Sequence, residues 1–404
     1  KMKMKIIFSI GILSLIVISN VYGFTCKNDG FFANPSDVHT YYQCSSGVSY
    51  LISCLAGLVW NDTEKMCDWK TVDPITNCEN SQQTNCYKTA RWSTDGTIIV
   101  GMDSERGSDS QHLSSPLGVF VDTHNGNNVY VADKDNDRIQ KFLGSSLSSG
   151  GITVAGGNGV GSAPNQLDGP VDVYVDKDEN IYIADYGNHR IQMWPKDAIS
   201  GITIAVRNDT SHGVNYVSFL YSMFFHEKTH TFYLPDYFHG RILKFTNGSN
   251  NGIIVAGNNG DVSTFNSLDG PTSVFVDDCE TLYVTDSGNC RVQKYVKGAS
   301  QGITVAGGYG RGNNASQLNM PYSLQVDKYK NLYILDTYNG RIQRWGPNDN
   351  VGVTIIGGHD FGNAANQLMY SYSLALDSEG NIFVSDLGNH RIQKFNILPE
   401  TITC

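Results

Sequence analysis

The sequence predicts an all-β fold: a six-bladed β-propeller preceded by a small, disulfide-stapled module. Three observations predict it. A phrase of three short strands recurs six times, at steps of 50 to 52 residues. A fourth strand follows five of these phrases and precedes the first. Five of the nine cysteines crowd between Cys26 and Cys78, ahead of the repeats.

The elements are justified in chain order. Lys1, Lys3 and Lys5 precede an apolar stretch from Ile6 to Ile18, and Val21-Tyr22-Gly23 follows. This is the pattern of a secretory leader over residues 1–23, too short for a membrane span, with the mature chain starting at Phe24. N-glycosylation sequons at Asn61, Asn208, Asn247 and Asn314 fit an exported product. Residues 24–80 form the cysteine-dense module, a composition typical of small exported domains with little apolar core. Residues 81–94, rich in Gln, Asn, Ser and Thr, read as a linker, and 95–404 as the propeller.

Each phrase begins with an apolar strand (Val119, Val173, Met223, Val274, Leu324, Leu374), crosses an acidic turn, and enters a second strand ending in Asp. Five residues later an Arg opens the third strand. The pairs are Asp133 with Arg138, Asp185 with Arg190, Asp236 with Arg241, Asp286 with Arg291, Asp336 with Arg341 and Asp386 with Arg391. An active site needs its groups once, whereas these occur six times, so they read as structural charge-assisted hydrogen bonds. Short β-branched strands at a period near fifty mean a propeller or an array. The last phrase lacks a fourth strand, and the strand at Thr97 is left to supply it, closing the ring without an exposed edge.

The repeat resembles the NHL family of six-bladed propellers, through Asn188-His189-Arg190 and Asn389-His390-Arg391 and the apolar-Tyr-apolar-x-Asp pattern before such steps. Members of that family include enzymes, RNA binders and extracellular sensors, so the resemblance implies the fold and not an activity. The module resembles the peritrophin-type chitin-binding domain, through Tyr41-Tyr42-Gln43-Cys44, Ala56 to Asn61 and Cys67-Asp68-Trp69. That resemblance implies bridges Cys26–Cys44 and Cys54–Cys67, and places the sugar against the stretch Ser46 to Tyr50. The family has six cysteines; here Val38 stands where its second would be. Cys78 then lacks its family partner, a loss worth ~2–5 kcal/mol in a small exported domain. It is left to pair with Cys86 or to stay free.

Cys86 and Cys404 flank the two chain ends that meet at the ring seam, so they are a candidate staple. Cys279 and Cys290 lie at opposite ends of one strand, beyond the ~7 Å reach of a disulfide, and both read as unpaired. Sugar binding needs aromatic faces and a few hydrogen bonds. The module's candidates are Tyr42, Ser46, Tyr50, Trp60 and Trp69, with Tyr50 and Trp69 favoured as exposed stackers and Trp60 as core.

Along the innermost strands, period-two alternation turns Phe120, Tyr174, Phe224, Phe275, Gln325 and Ala375 toward the channel. The layer outside them is Gly118, Asp172, Ser222, Ser273, Ser323 and Ser373, a mouth of small polar groups. It either holds a ligand or fills with water. The third repeat departs from the rest: His226 replaces a turn Asp, Pro235 interrupts the second strand, and His212, His226, His230 and His239 gather. Alternate turns face opposite sides, so only pairs of these histidines meet. No metal site and no cofactor is expected.

The chain therefore reads as an exported binder of chitin or a related N-acetylglucosamine polymer, with the propeller as a platform for an extracellular protein or glycan. The alternative is a propeller enzyme of amidating-lyase or lactonase type, which needs convergent groups that the mouth does not display. Nucleic acid is excluded by the acidic balance, a net charge of −10 that becomes −13 without the leader lysines.

Overall fold

The computed structural model describes residues 90–101, 105–206, 220–246, 252–257 and 267–399, together with the backbone of five short strands between 30 and 69. The chain divides into two compact units, 1–82 and 83–404. In the first, β1 (Gly30–Ala33), β2 (Thr40–Ser45) and β3 (Val48–Ser53) form an antiparallel sheet, and β4 (Leu58–Asn61) pairs with β5 (Met66–Trp69). β2 and β3 pair antiparallel with Cys44 opposite Ser49 and Ser45 opposite Val48.

The second unit is a ring of six four-stranded blades. Blade one holds β7 to β10 (Pro116–Asp122, Asn128–Asp133, Arg138–Phe142, Ile152–Gly156), and blade two β11 to β14 (Pro170–Val175, Ile181–Asp185, Arg190–Trp194, Ile202–Val206). Blade three holds β15 to β18 (Phe224–His226, Thr231–Asp236, Arg241–Thr246, Ile253–Gly257). Blade four holds β19 to β22 (Pro271–Val276, Leu282–Asp286, Arg291–Tyr295, Ile303–Gly307), and blade five β23 to β26 (Pro321–Val326, Leu332–Asp336, Arg341–Trp345, Val353–Gly357). Blade six combines β27 to β29 (Ser373–Leu376, Ile382–Asp386, Arg391–Phe395) with β6 (Thr97–Val100), which pairs with β29. The first strand of the propeller thus completes its last blade, as the sequence predicts.

Apolar alternation turns one face of each blade against its neighbour. Six buried clusters result among the described residues, one for each seam. The third strand of every blade carries an aromatic residue at or next to its end: Phe142, Trp194, Phe245, Tyr295, Trp345 and Phe395, each at most 7% exposed. In five blades a glycine before the fourth strand lies against that ring. A Cβ on Gly352 would sit 2.3 Å from the Trp345 ring, and one on Gly201 would sit 2.4 Å from that of Trp194. No side chain fits there.

Trp92, ahead of the closing strand, is 5% exposed, packs edge-on against Tyr333 at 5.6 Å, and donates its indole N–H to the Gly380 carbonyl at 2.9 Å. A large aromatic beside the closing strand is buried because the blade-six edge offers it apolar area. Pro235 does not interrupt its strand, which runs Thr231–Asp236. The inner strand begins only at Phe224, opposite Tyr233, so no ladder partner faces Pro235 on that side and the missing N–H costs nothing there.

Candidate functional site

All six Asp–Arg pairs form the same clasp. The Arg Nε donates to the Asp Oδ2 at 2.6–2.8 Å in every blade, between a fully buried carboxylate and a guanidinium at most 10% exposed. In five blades the other oxygen accepts a backbone N–H of the preceding loop at 2.6–2.8 Å. The remaining guanidinium N–H groups reach loop carbonyls, as from Arg391 to Asn363, Ala364 and Gln367. Burial raises the carboxyl pKa of Asp133, Asp185, Asp286 and Asp336 despite these donors. The clasp ties each inner loop to its blade and leaves no reactive group free.

The residue before each Arg adopts a left-handed conformation, with φ of 51° at Asp137, His189 and His390 and 53° at Cys290. Asp and His tolerate that region better than most side chains, and Gly fills it at 240 and 340. The histidine of the Asn-His-Arg step is thus a turn residue. His390 has a second contact: its Nδ1 accepts the Ser115 N–H of blade one at 3.1 Å, across the ring closure.

The channel mouth holds the polar layer, and its groups reach across seams. Asp172 accepts the Met223 N–H at 2.8 Å, and Ser222 donates to the Thr272 carbonyl at 3.0 Å. Ser323 accepts from the Leu374 N–H at 3.4 Å, and Ser373 from the Val119 N–H at 3.3 Å. Deeper, Tyr174 donates to Glu227 at 2.8 Å and Gln325 to the Leu374 carbonyl at 3.4 Å. Each of these side chains engages the following blade. Ser273 borders the cavity, where its own N–H donates to Thr285 Oγ1 at 2.7 Å. The cavity measures about 130 Å³, room for a few waters and well short of the roughly 300–1,000 Å³ of ordinary ligand pockets. The polar layer is therefore mainly a ring of interblade clasps.

Burial pushes the Asp172 carboxyl up to about 7, against the two backbone N–H groups, of Met223 and Val173, that favour its charged form. It is the one carboxylate in the lining among the described residues.

The sequence reasoning missed an aromatic layer. Leu117, Val171, Tyr221, Thr272, Tyr322 and Tyr372 all border the cavity, although strict alternation sends them away from the channel. In blades one, two, four and five the ladder slips at this point: Pro170 pairs with Asp185 and Asp172 with Ala184, leaving Val171 as the extra residue. Such a bulge redirects a side chain. Tyr322 and Tyr372 meet at 4.5 Å and Tyr221 and Tyr322 at 5.8 Å, both edge-to-face. A Pro at the start of the inner strand was the readable signal.

In blade three, His226 is buried and its Nδ1 meets Thr229 Oγ1 at 2.8 Å, standing in for the Asp that holds the turn elsewhere. Its Nε2 has no hydrogen-bond partner, and burial lowers its pKa. His230 Nδ1 contacts the Glu227 carbonyl at 2.7 Å and His239 Nδ1 contacts Asp236 at 3.0 Å. No group of three His, Cys, Asp or Glu side chains suited to a metal exists among the described residues. His212 lies outside them, as do Asn208 and Asn247. Asn314 is exposed.

Cys290 is a free, buried thiol. Cys279, expected to be unpaired, is disulfide-bonded. The strand between the two excludes a bond to each other but not one to a cysteine elsewhere, and that partner lies outside the described residues. The proposed bridges Cys26–Cys44, Cys54–Cys67 and Cys86–Cys404 also lie outside them, as do Ser46 and the side chains of Tyr42, Tyr50, Asn61, Trp60 and Trp69. No helix among the described residues is long and apolar enough to cross a membrane.

Known proteins match both units. The chitin binding Peritrophin-A domain family matches residues 26–86, and the NHL repeat family matches 167–194 and 373–395. An endochitinase of Brugia malayi is 38% identical over 50 residues, 12% of this chain and 10% of that protein. The match thus spans one tenth of that relative's length. A Bacteroides thetaiotaomicron protein of unknown function superposes with a TM-score of 0.59 at 17% identity, over 75% of this chain and 76% of the other. A Xanthomonas campestris gluconolactonase gives 0.52 at 10% identity, over 76% and 97%. These two show the fold alone. The chain carries a chitin-binding Peritrophin-A domain at residues 26–86 and, behind it, NHL repeats folded as a six-bladed β-propeller.

Proposed function

We propose that this is an exported chitin-binding protein. Residues 26–86 hold N-acetylglucosamine polymer through Tyr50 and Trp69, and the propeller presents a second ligand face. The observation that carries the reading is the match of 26–86 to the chitin-binding family. The similarity to an endochitinase, confined to 50 residues, supports it. The polar groups of the channel are engaged between blades, so the second ligand face is placed outside the channel.

The test is retention on chitin beads of the intact protein and of the Tyr50→Ala/Trp69→Ala double variant. Retention that falls at least tenfold in the variant supports the reading. An intact protein that washes through, properly folded, sinks it. Hydrolysis of lactones by the intact protein would instead favour the enzyme reading.

A further inference from the structure

We propose that the propeller carries its own saccharide site. It is a groove on the loop side of blade five that takes an uncharged, N-acetylated sugar chain. The groove is open, about 700 Å³, and its lining includes Asn313, Tyr338, His359, Asp360, Phe361 and Asn366. Tyr338, Phe361 and the adjoining Tyr370 are 42%, 41% and 38% exposed. Phe361 stacks on Tyr370 at 5.1 Å with 28° between the rings, and Tyr338 meets Tyr370 edge-on at 6.0 Å. Single exposed aromatics are ordinary, whereas three joined through Tyr370 beside a concavity mark a binding surface.

The walls are held before any ligand arrives. Gln367 donates to the Asp360 carbonyl at 2.9 Å and accepts the Ala364 N–H at 3.2 Å, pinning the loop that carries Phe361. Asn339 donates to Asp336 and to the Gly312 carbonyl, each at 2.8 Å, fixing the turn beside Tyr338. A pre-formed wall loses little entropy on binding.

The chemistry selects the ligand. Arg341, the strongest cation in the lining, is engaged by Asp336 and by three loop carbonyls. That leaves ring faces, side-chain amides, one imidazole and one carboxylate. Such a surface stacks on the C–H face of a pyranose and bonds hydroxyl and acetamide groups. It offers no field to a polyanion. The choice of N-acetylglucosamine within this class rests on the chitin-binding reading of residues 26–86. Two sites for one polymer on one chain raise avidity without either being tight.

The test is calorimetric titration of the full chain with N-acetylglucosamine hexamer. Asn314 is replaced by Gln throughout, since its sequon borders the groove and an attached glycan would crowd it. Two equivalents are expected. Phe361→Ala/Tyr370→Ala, or Tyr338→Ala as an independent variant, should weaken one of them roughly tenfold, the loss of about 1.4 kcal/mol of stacking, with an unchanged melting temperature. Tyr50→Ala/Trp69→Ala should remove the other. A single equivalent, sensitive to Tyr50/Trp69 and not to the groove variants, overturns the groove and leaves the domain reading standing. A single equivalent with the opposite sensitivity supports the groove and removes the domain reading. Binding indifferent to both sets overturns both. Equal groove binding of a glucose hexamer, which lacks acetamides, overturns the N-acetyl specificity.

Discussion

The carboxylate of Asp172 holds the backbone N–H of Met223 across the seam between blades two and three, at 2.8 Å. Blade three has the shortest inner strand together with blade-specific histidines, and this clasp anchors its first residues. Asn at 172 keeps the size but points an amide N–H at one of two backbone N–H groups. Asp172→Asn should therefore cost about 1–3 kcal/mol. The carboxyl is pushed up to about 7 in the folded state from 3.8. Its contribution is greatest below the unfolded value and falls as pH rises through the folded one. Urea unfolding from pH 4 to 8 should show a wild-type-minus-variant difference that shrinks with rising pH; a flat difference counts against the assignment.

His390 acts with the opposite sign. Burial lowers its pKa from 6.5, and its Nδ1 must be unprotonated to accept the Ser115 N–H. Its contribution is present above 6.5 and is lost as pH falls below it. In His390→Asn the closure contact should become pH-independent. Hydrogen exchange of the Ser115 amide at pH 5 and pH 8 measures this: the wild type should exchange more readily, relative to the variant, at the lower pH.

Arg391 is the most buried of the clasp guanidiniums and sits in the blade assembled from both chain ends. Arg391→Met leaves the Asp386 carboxylate buried with its Asn389 contact but no cation. The expected loss is about 3–5 kcal/mol, because an unpaired buried charge remains. Asp386→Asn/Arg391→Met should recover part of it. Thermal denaturation of the single and double variants decides, and equal loss in both would place the cost in packing instead.

Gly352→Ala should destabilise blade five by about 1–3 kcal/mol, because the added methyl meets the Trp345 ring at 2.3 Å. In a Trp345→Leu background the same Gly352→Ala change should cost less than it does in the wild type, since the clashing ring is gone, and an equal cost in both backgrounds would point to the backbone instead.

Much of the ring was legible because it is local. Alternating β-branched strands and the Asp-to-Arg step recur in every repeat, and the step is satisfied next to its own blade. Closure followed from one missing strand at the end and one spare at the start. The candidate polar mouth was legible as a layer, since Asp172, Ser222, Ser323 and Ser373 do border the channel. Its use was not. A hydroxyl that could bond a ligand or a neighbouring backbone looks the same in sequence.

By itself, then, the sequence determined the blade, its number and its seam, because period, polarity and turn chemistry act over a few residues. Only the tertiary structure decided which further side chains join the polar layer at the channel, because a bulge after each inner-strand Pro breaks the alternation and brings Thr272 and Tyr322 to the cavity. It alone bonded Cys279, which the sequence reading left unpaired alongside Cys290. It alone gathered Tyr338, Phe361 and Tyr370, residues from two loops some thirty positions apart. Contacts between loops depend on how blades stack, and a repeat carries no record of what its neighbour's loop will touch.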